Sequence, residues 1–135
     1  MSSTVLYSDK FCTLEKGQLK IHSYNFPTCG AKLLQTDLIK KIFYEEPHFD
    51  FVTKKTWGKT LTPVWWALDA KRFLRSSKSS GSVRYVTVEY ADETWHKGFT
   101  VENFDAFIEA IRPLLKPDVE IVDHFPYWDK KDKIA

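Results

Sequence analysis

No run of apolar residues in this 135-residue chain approaches the roughly 20 needed to cross a bilayer as a helix. The first ten residues, Met1 to Lys10, lack a basic stretch followed by an apolar one, so no secretory signal is expected. Cysteine is scarce. Cys12 and Cys29 form neither a disulfide framework nor a zinc-binding spacing, which fits two reduced thiols in a cytoplasmic protein. Enzyme signatures are missing too: there is no Gly-rich phosphate loop, no Gly-x-Ser-x-Gly elbow and no His-Glu-x-x-His. His22, His48, His96 and His124 stand singly, without the spacing of metal ligands, so no metal or cofactor is expected. Glu45 and Glu46 are adjacent carboxylates, but neighbours on a strand face opposite ways and do not readily share a proton. A non-enzymatic protein is the expectation.

What the chain does hold is aromatic surface. Ten Phe, six Tyr and five Trp make up 16% of the residues, and 43% are hydrophobic, which excludes disorder. The length fits one domain, taken as residues 1–128, with a polar tail at 129–135. The clearest single element lies in Gly98–Leu115. Phe104, Phe107, Ile108, Ile111, Leu114 and Leu115 recur at helical spacing, with Thr100 as a candidate N-cap, Glu102 and Asp105 near the first turn and Pro117 past the end.

Upstream, the patterning is that of strands. Phe11–Leu14, Leu19–Tyr24, Ala31–Gln35, Leu38–Tyr44, Val64–Leu68, Ser82–Tyr90 and Thr94–Thr100 read as strands, and Val119–Val122 as a late one. Thr36-Asp37 can alternatively start a short helix, and residues 48–62 read as a long connection or an irregular strand. Arg75–Gly81 has the composition of a flexible loop. A mainly β, α+β fold closed by one amphipathic C-terminal helix follows.

Particular residues sharpen this. Tyr7-Ser8-Asp9, Leu19-Lys20-Ile21, Tyr24–Pro27 and Lys32–Ile39 resemble the opening hairpins of small bacterial-type pleckstrin-homology (PH) domains, and Gly98–Asn103 running into the helix is similar to their close. The resemblance implies a bent barrel of about seven antiparallel strands with the helix plugging one end. It also implies a lipid site in the first hairpin, where phosphoinositide-binding members carry Lys, a variable stretch, then Lys/Arg-x-Arg. Lys16 and Lys20 match loosely, but His22 stands where the second Arg belongs. A neutral imidazole does not replace a guanidinium fork on phosphate.

Two features are candidate binding determinants. Between residues 53 and 78, Lys54, Lys55, Lys59, Lys71, Arg72, Arg75 and Lys78 face a single acid, Asp69. With Lys16 and Lys20, the residues Lys54, Lys55, Lys59, Arg72 and Arg75 make a candidate anion or lipid site, although a straight strand between the two basic groups sets them apart. Trp57, Trp65 and Trp66 form a candidate aromatic platform, since a Trp on an outer face gives large contact area at low entropic cost. The competing reading is that Trp57 and Trp95 pack with Trp65 and Trp66 as filler. The expected ligand is a protein or peptide, the alternative weak association with anionic membrane lipids. Nucleic acid is not expected, because pI is near 8.5 and no basic stretch carries aromatics for base stacking.

Overall fold

A computed structural model describes residues 5–25, 28–47, 56–60, 62–72 and 81–126. These contain ten strands, one α-helix and two 3-10 turns. The basic residues Lys54, Lys55, Arg75 and Lys78, together with His48, Trp128 and the 129–135 tail, lie outside them.

The first sheet is an antiparallel meander of β1 (Val5–Ser8), β2 (Cys12–Glu15), β3 (Gln18–Ile21) and β4 (Lys32–Gln35). Alternation in β2 and β3 is strict, with Cys12, Leu14, Leu19 and Ile21 buried, as period 2 demands of a half-buried strand. Gly17 turns β2 into β3 at φ +85°, a left-handed conformation that glycine adopts without strain. A 3-10 turn at Thr36–Leu38 leads on to β5 (Ile39–Glu45).

The second sheet has six strands in the order β10-β5-β8-β9-β7-β6, where β6 is Gly58–Lys59, β7 Val64–Trp66, β8 Arg84–Tyr90, β9 His96–Val101 and β10 Glu120–Val122. β5, β8 and β9 are antiparallel neighbours, but β10 runs parallel to β5 and β7 parallel to β9. The expected set of about seven antiparallel strands is thus replaced, among the described residues, by ten strands with two parallel pairings. Among the described residues the two sheets are separate and do not close into one barrel. Mainly β with one C-terminal helix is the architecture.

Helix α1 covers Phe104–Ile111, followed by a 3-10 turn at Arg112–Leu114. Its N-cap is Asn103, whose side chain accepts a hydrogen bond from the Ala106 amide at 3.2 Å. Thr100, the candidate cap, is instead a fully buried residue of β9, because pairing with Tyr85 carries that strand past it to Val101. Phe107 meets Tyr7 edge-on at 5.6 Å and Phe99 at 6.1 Å, while Phe104 lies 4.3 Å from Tyr44. A carboxylate ties the helix entry to the β1–β2 turn. Asp9 accepts hydrogen bonds from the amides of Phe11, Cys12 and Glu102 and from the Tyr7 hydroxyl, which in turn accepts from the Asn103 amide.

The six-stranded sheet is buried on both faces. Ile42, Val86, Val88, Phe99 and Val101 point toward the first sheet and the helix. Phe43, Val64, Trp66, Tyr85 and Phe125 make a second cluster on the other side. Two buried faces explain why Tyr85 to Val88 are all inaccessible.

Candidate functional site

Consecutive residues on a strand point to opposite faces, and β7 divides its tryptophans accordingly. Trp66 enters the second cluster with no exposure, 6.3 Å from Tyr85 and 6.0 Å from Phe125. Its ring lies where a side chain on Gly98 would stand: a Cβ there would come within 2.6 Å of it. Glycine at 98 is therefore what admits Trp66 beside β9. Buried this way, Trp66 is no part of a surface platform.

Trp65 lies on the other face, one strand in from the sheet's edge, half-buried. Its indole N–H donates to the Tyr24 carbonyl at 2.8 Å, which fixes the ring. Register places Lys59 of β6 on one side of it and Lys97 of β9 on the other. Trp95, in the turn that precedes β9, folds onto it: the rings are stacked, 5.8 Å between centroids and 9° from parallel. Trp95 is 44% exposed, the largest exposed aromatic among the described residues. The Lys59 ammonium stands 5.1 Å from its ring centroid, a cation–π contact worth about 0.5–1 kcal/mol at a surface site.

The charges around these rings are organised by Glu93. Lys97 approaches its carboxylate at 2.5 Å and Lys32 at 3.1 Å. Partial burial would raise the Glu93 pKa, but the hydrogen bonds and charges of Lys97 and Lys32 outweigh it and hold the carboxyl below its ordinary value. Lys97 is itself buried and also donates to the Trp95 carbonyl at 2.6 Å, so it anchors the turn that carries Trp95. Tyr24, Trp65 and Trp95, with Asn25, Lys32, Glu93 and Lys97, line a cavity of about 260 Å³. Lys32 opens β4, an edge of the first sheet, whereas Trp65 and Lys97 belong to the second. The cavity sits where the sheets part.

Of the basic candidates, Lys16, Lys20, Lys59 and Arg72 are among the described residues, and these do not form one surface patch. Arg72 is fully buried on the far face, its guanidinium 4.5 Å from the Trp66 ring and 5.5 Å from Tyr85. It donates to the Ala67 carbonyl at 3.0 Å and to the Thr100 hydroxyl at 2.9 Å; Thr100 donates on to Asp69 at 2.6 Å. The Asp69 carboxylate is 3.8 Å from the guanidinium. Arg72 is a structural cation, removed from any membrane-facing role. Lys16 sits at the β2–β3 turn and Lys20 on the exposed face of β3. His22 shares hydrogen bonds with the Thr13 hydroxyl at 2.9 Å and the Lys10 carbonyl at 3.2 Å. Trp57 is half-buried before β6.

Of the described residues named from sequence, only Lys59 and Trp65 meet at this site. Trp95, read as filler, is its most exposed member; Tyr24 and Lys32 entered the sequence reading only through the hairpin resemblance, and Glu93 and Lys97 carried no site signal. Only the position of Trp95 beside a turn hinted at exposure. Among the described residues, no group of three metal-ligating side chains converges, and no helix is long and apolar enough to cross a membrane. Comparison of the chain with protein-family models, with characterised proteins and with solved structures finds no match.

Proposed function

We propose that this chain is a non-enzymatic binding module of PH-like type, and that it docks a protein or peptide on the Trp65–Trp95 platform. The carrying observation is the stacked pair itself. A large ring held 44% in solvent, braced by a second Trp and by an anchored turn, costs little ordering entropy when it meets a partner. The site gathers flat rings and ammonium groups, which is the chemistry of recognition. Support for the PH-like part is the order of elements: a four-stranded antiparallel meander, then β5, β8 and β9 as antiparallel neighbours, then α1. The β6–β7 pair between β5 and β8, and β10 after the helix, depart from the barrel that the resemblance implies.

Association with anionic lipid is the weaker reading, since Arg72 is buried and Glu93 sits amid the lysines of the exposed ring. The test is quantitative affinity capture from a cell extract with the wild type, Trp95→Ala and a surface control, Leu33→Ala. Partners lost with Trp95→Ala and retained with Leu33→Ala support the platform. Identical partner sets for all three proteins overturn it.

A further inference from the structure

Resting on that reading, we infer that the cavity of Tyr24, Trp65 and Trp95 takes a proline ring of a neutral, proline-rich segment in the polyproline II conformation. Three observations lead there. The first is charge. Lys32 and Lys97 both close on Glu93, at 3.1 Å and 2.5 Å. Among the described residues, every charged side chain lining the cavity is thus engaged with another. Neither an acidic nor a basic segment finds an uncommitted counter-charge there, and charge complementarity points to a neutral occupant.

The second is hydrogen bonding. Tyr24 is only 6% exposed and lines the cavity, yet among the described residues its hydroxyl has no hydrogen-bond partner. Burial raises the pKa of that hydroxyl and the charge of Glu93 adds to the effect, which sets the group toward Glu93 and the cavity. The Trp95 indole N–H is likewise without a partner, whereas that of Trp65 is spent on the Tyr24 carbonyl. A polar group so nearly buried is ordinarily satisfied, so two unspent donors at one cavity call for acceptors from outside. Backbone carbonyls supply them. In polyproline II every carbonyl is free, because that helix has no internal hydrogen bonds.

The third is shape. The cavity of about 260 Å³ falls below the roughly 300–1,000 Å³ of sites that enclose a drug-sized ligand, so it suits one inserted ring. Its walls are the stacked indoles of Trp65 and Trp95, 9° from parallel, and Tyr24, 6.3 Å from Trp65. A prolyl ring buries apolar area against such faces with no side-chain entropy to lose, and its fixed φ lowers the cost of ordering the segment. Addition of a β-strand fits less well. β4, which carries Lys32, is an edge of the first sheet, but the Gln35 amide on it is already taken by the Tyr90 hydroxyl at 2.9 Å.

The experiment is calorimetric titration of the full chain with three capped peptides of equal length: a run of prolines, a mixed alanine–glutamine sequence, and a glutamine sequence carrying one Phe. Phosphatidylserine vesicles form a fourth arm. The proline peptide should bind at least about tenfold tighter than either other peptide. Its affinity should change less than about twofold between about 50 and 300 mM salt, since no charge is read. Tyr24→Phe removes only a hydroxyl without a partner in the protein, so the urea midpoint should hold while proline-peptide affinity falls about two- to tenfold. Trp95→Phe keeps a ring and loses the N–H, and should weaken binding by a similar factor; Trp95→Ala should abolish it. Equal binding of the Phe peptide shows that any ring is accepted, and overturns the inference. Equal binding of the alanine–glutamine peptide, a several-fold loss of affinity with salt, or binding to vesicles alone also overturns it. So does a Tyr24→Phe variant with unchanged affinity or a lowered midpoint. Binding of none of the four probes overturns it too, while partner capture that depends on Trp95 leaves the docking platform standing.

Discussion

Trp65 and Trp66 are adjacent in the chain yet serve opposite faces of one sheet: Trp65 stacks under Trp95 at a surface cleft, and Trp66 lies wholly buried against Gly98. The first lies half-buried at the surface, the second in the core. Their substitutions should therefore separate cleanly.

Trp66→Ala should destabilise the protein by about 3–5 kcal/mol, the range for emptying a buried aromatic position. Trp95→Ala, at an exposed site, should cost about 1 kcal/mol or less, from the lost stack and the Lys59 contact. Equilibrium urea denaturation of both variants checks the pair; equal losses would contradict the division of faces.

The Asp69–Thr100–Arg72 network holds a charge with no access to water. Replacing Asp69 by Ala leaves the guanidinium without its carboxylate and should cost about 3–5 kcal/mol. Removing both charges, with Arg72→Met added, should recover part of that loss, since an apolar side chain of similar length can pack between Trp66 and Tyr85. Denaturation midpoints of the single and double variants decide it.

His96 stacks on Phe43 at 5.9 Å, nearly parallel. Burial, the largest influence, lowers its pKa from the ordinary 6.5; Lys97 lowers it further and Glu89 partly opposes. The unfolded chain therefore binds a proton at a pH where the folded one does not, so stability is full above about 6.5 and falls as pH drops below it. Denaturation free energies at a series of pH values should decline more steeply below that point for wild type than for His96→Gln. Parallel curves would exclude His96 as the cause.

The thiols should also differ. Cys12 is buried, and burial, reinforced by Asp9, pushes its pKa well above the ordinary 9.0; Cys29 is exposed. A thiol-specific chromogenic reagent should titrate one cysteine in the native protein and both in denaturant. Rapid reaction of two native thiols would mean that the core around Cys12 opens readily.

Much of the fold was legible in local pattern. Alternation marked β3 and β8, and the spacing from Phe104 to Ile111 marked the helix, because both periods are written within a few residues. β1 was missed, since Val5-Leu6-Tyr7-Ser8 has no clear alternation and owes its pairing to β2. The Thr100 cap gave way to Asn103 because the long β8–β9 ladder outweighs a local capping preference. The two-residue β6 lies in the stretch 48–62, where the sequence offered no period at all.

The site was legible only in part. Sequence named Lys59 and Trp65, and by itself it determined that Trp65 and Trp66 must face opposite ways, that one helix closes a mainly β chain, and that basic residues crowd the middle. Which tryptophan is covered, and which cation is buried, was decided by tertiary structure. The parallel pairing of β7 with β9 joins residues some thirty positions apart, and that register alone brings Lys97 beside Trp65 and folds Trp95 over it. Long-range pairing is set by how both faces of the second sheet find apolar cover, a condition on the whole chain that no local pattern records.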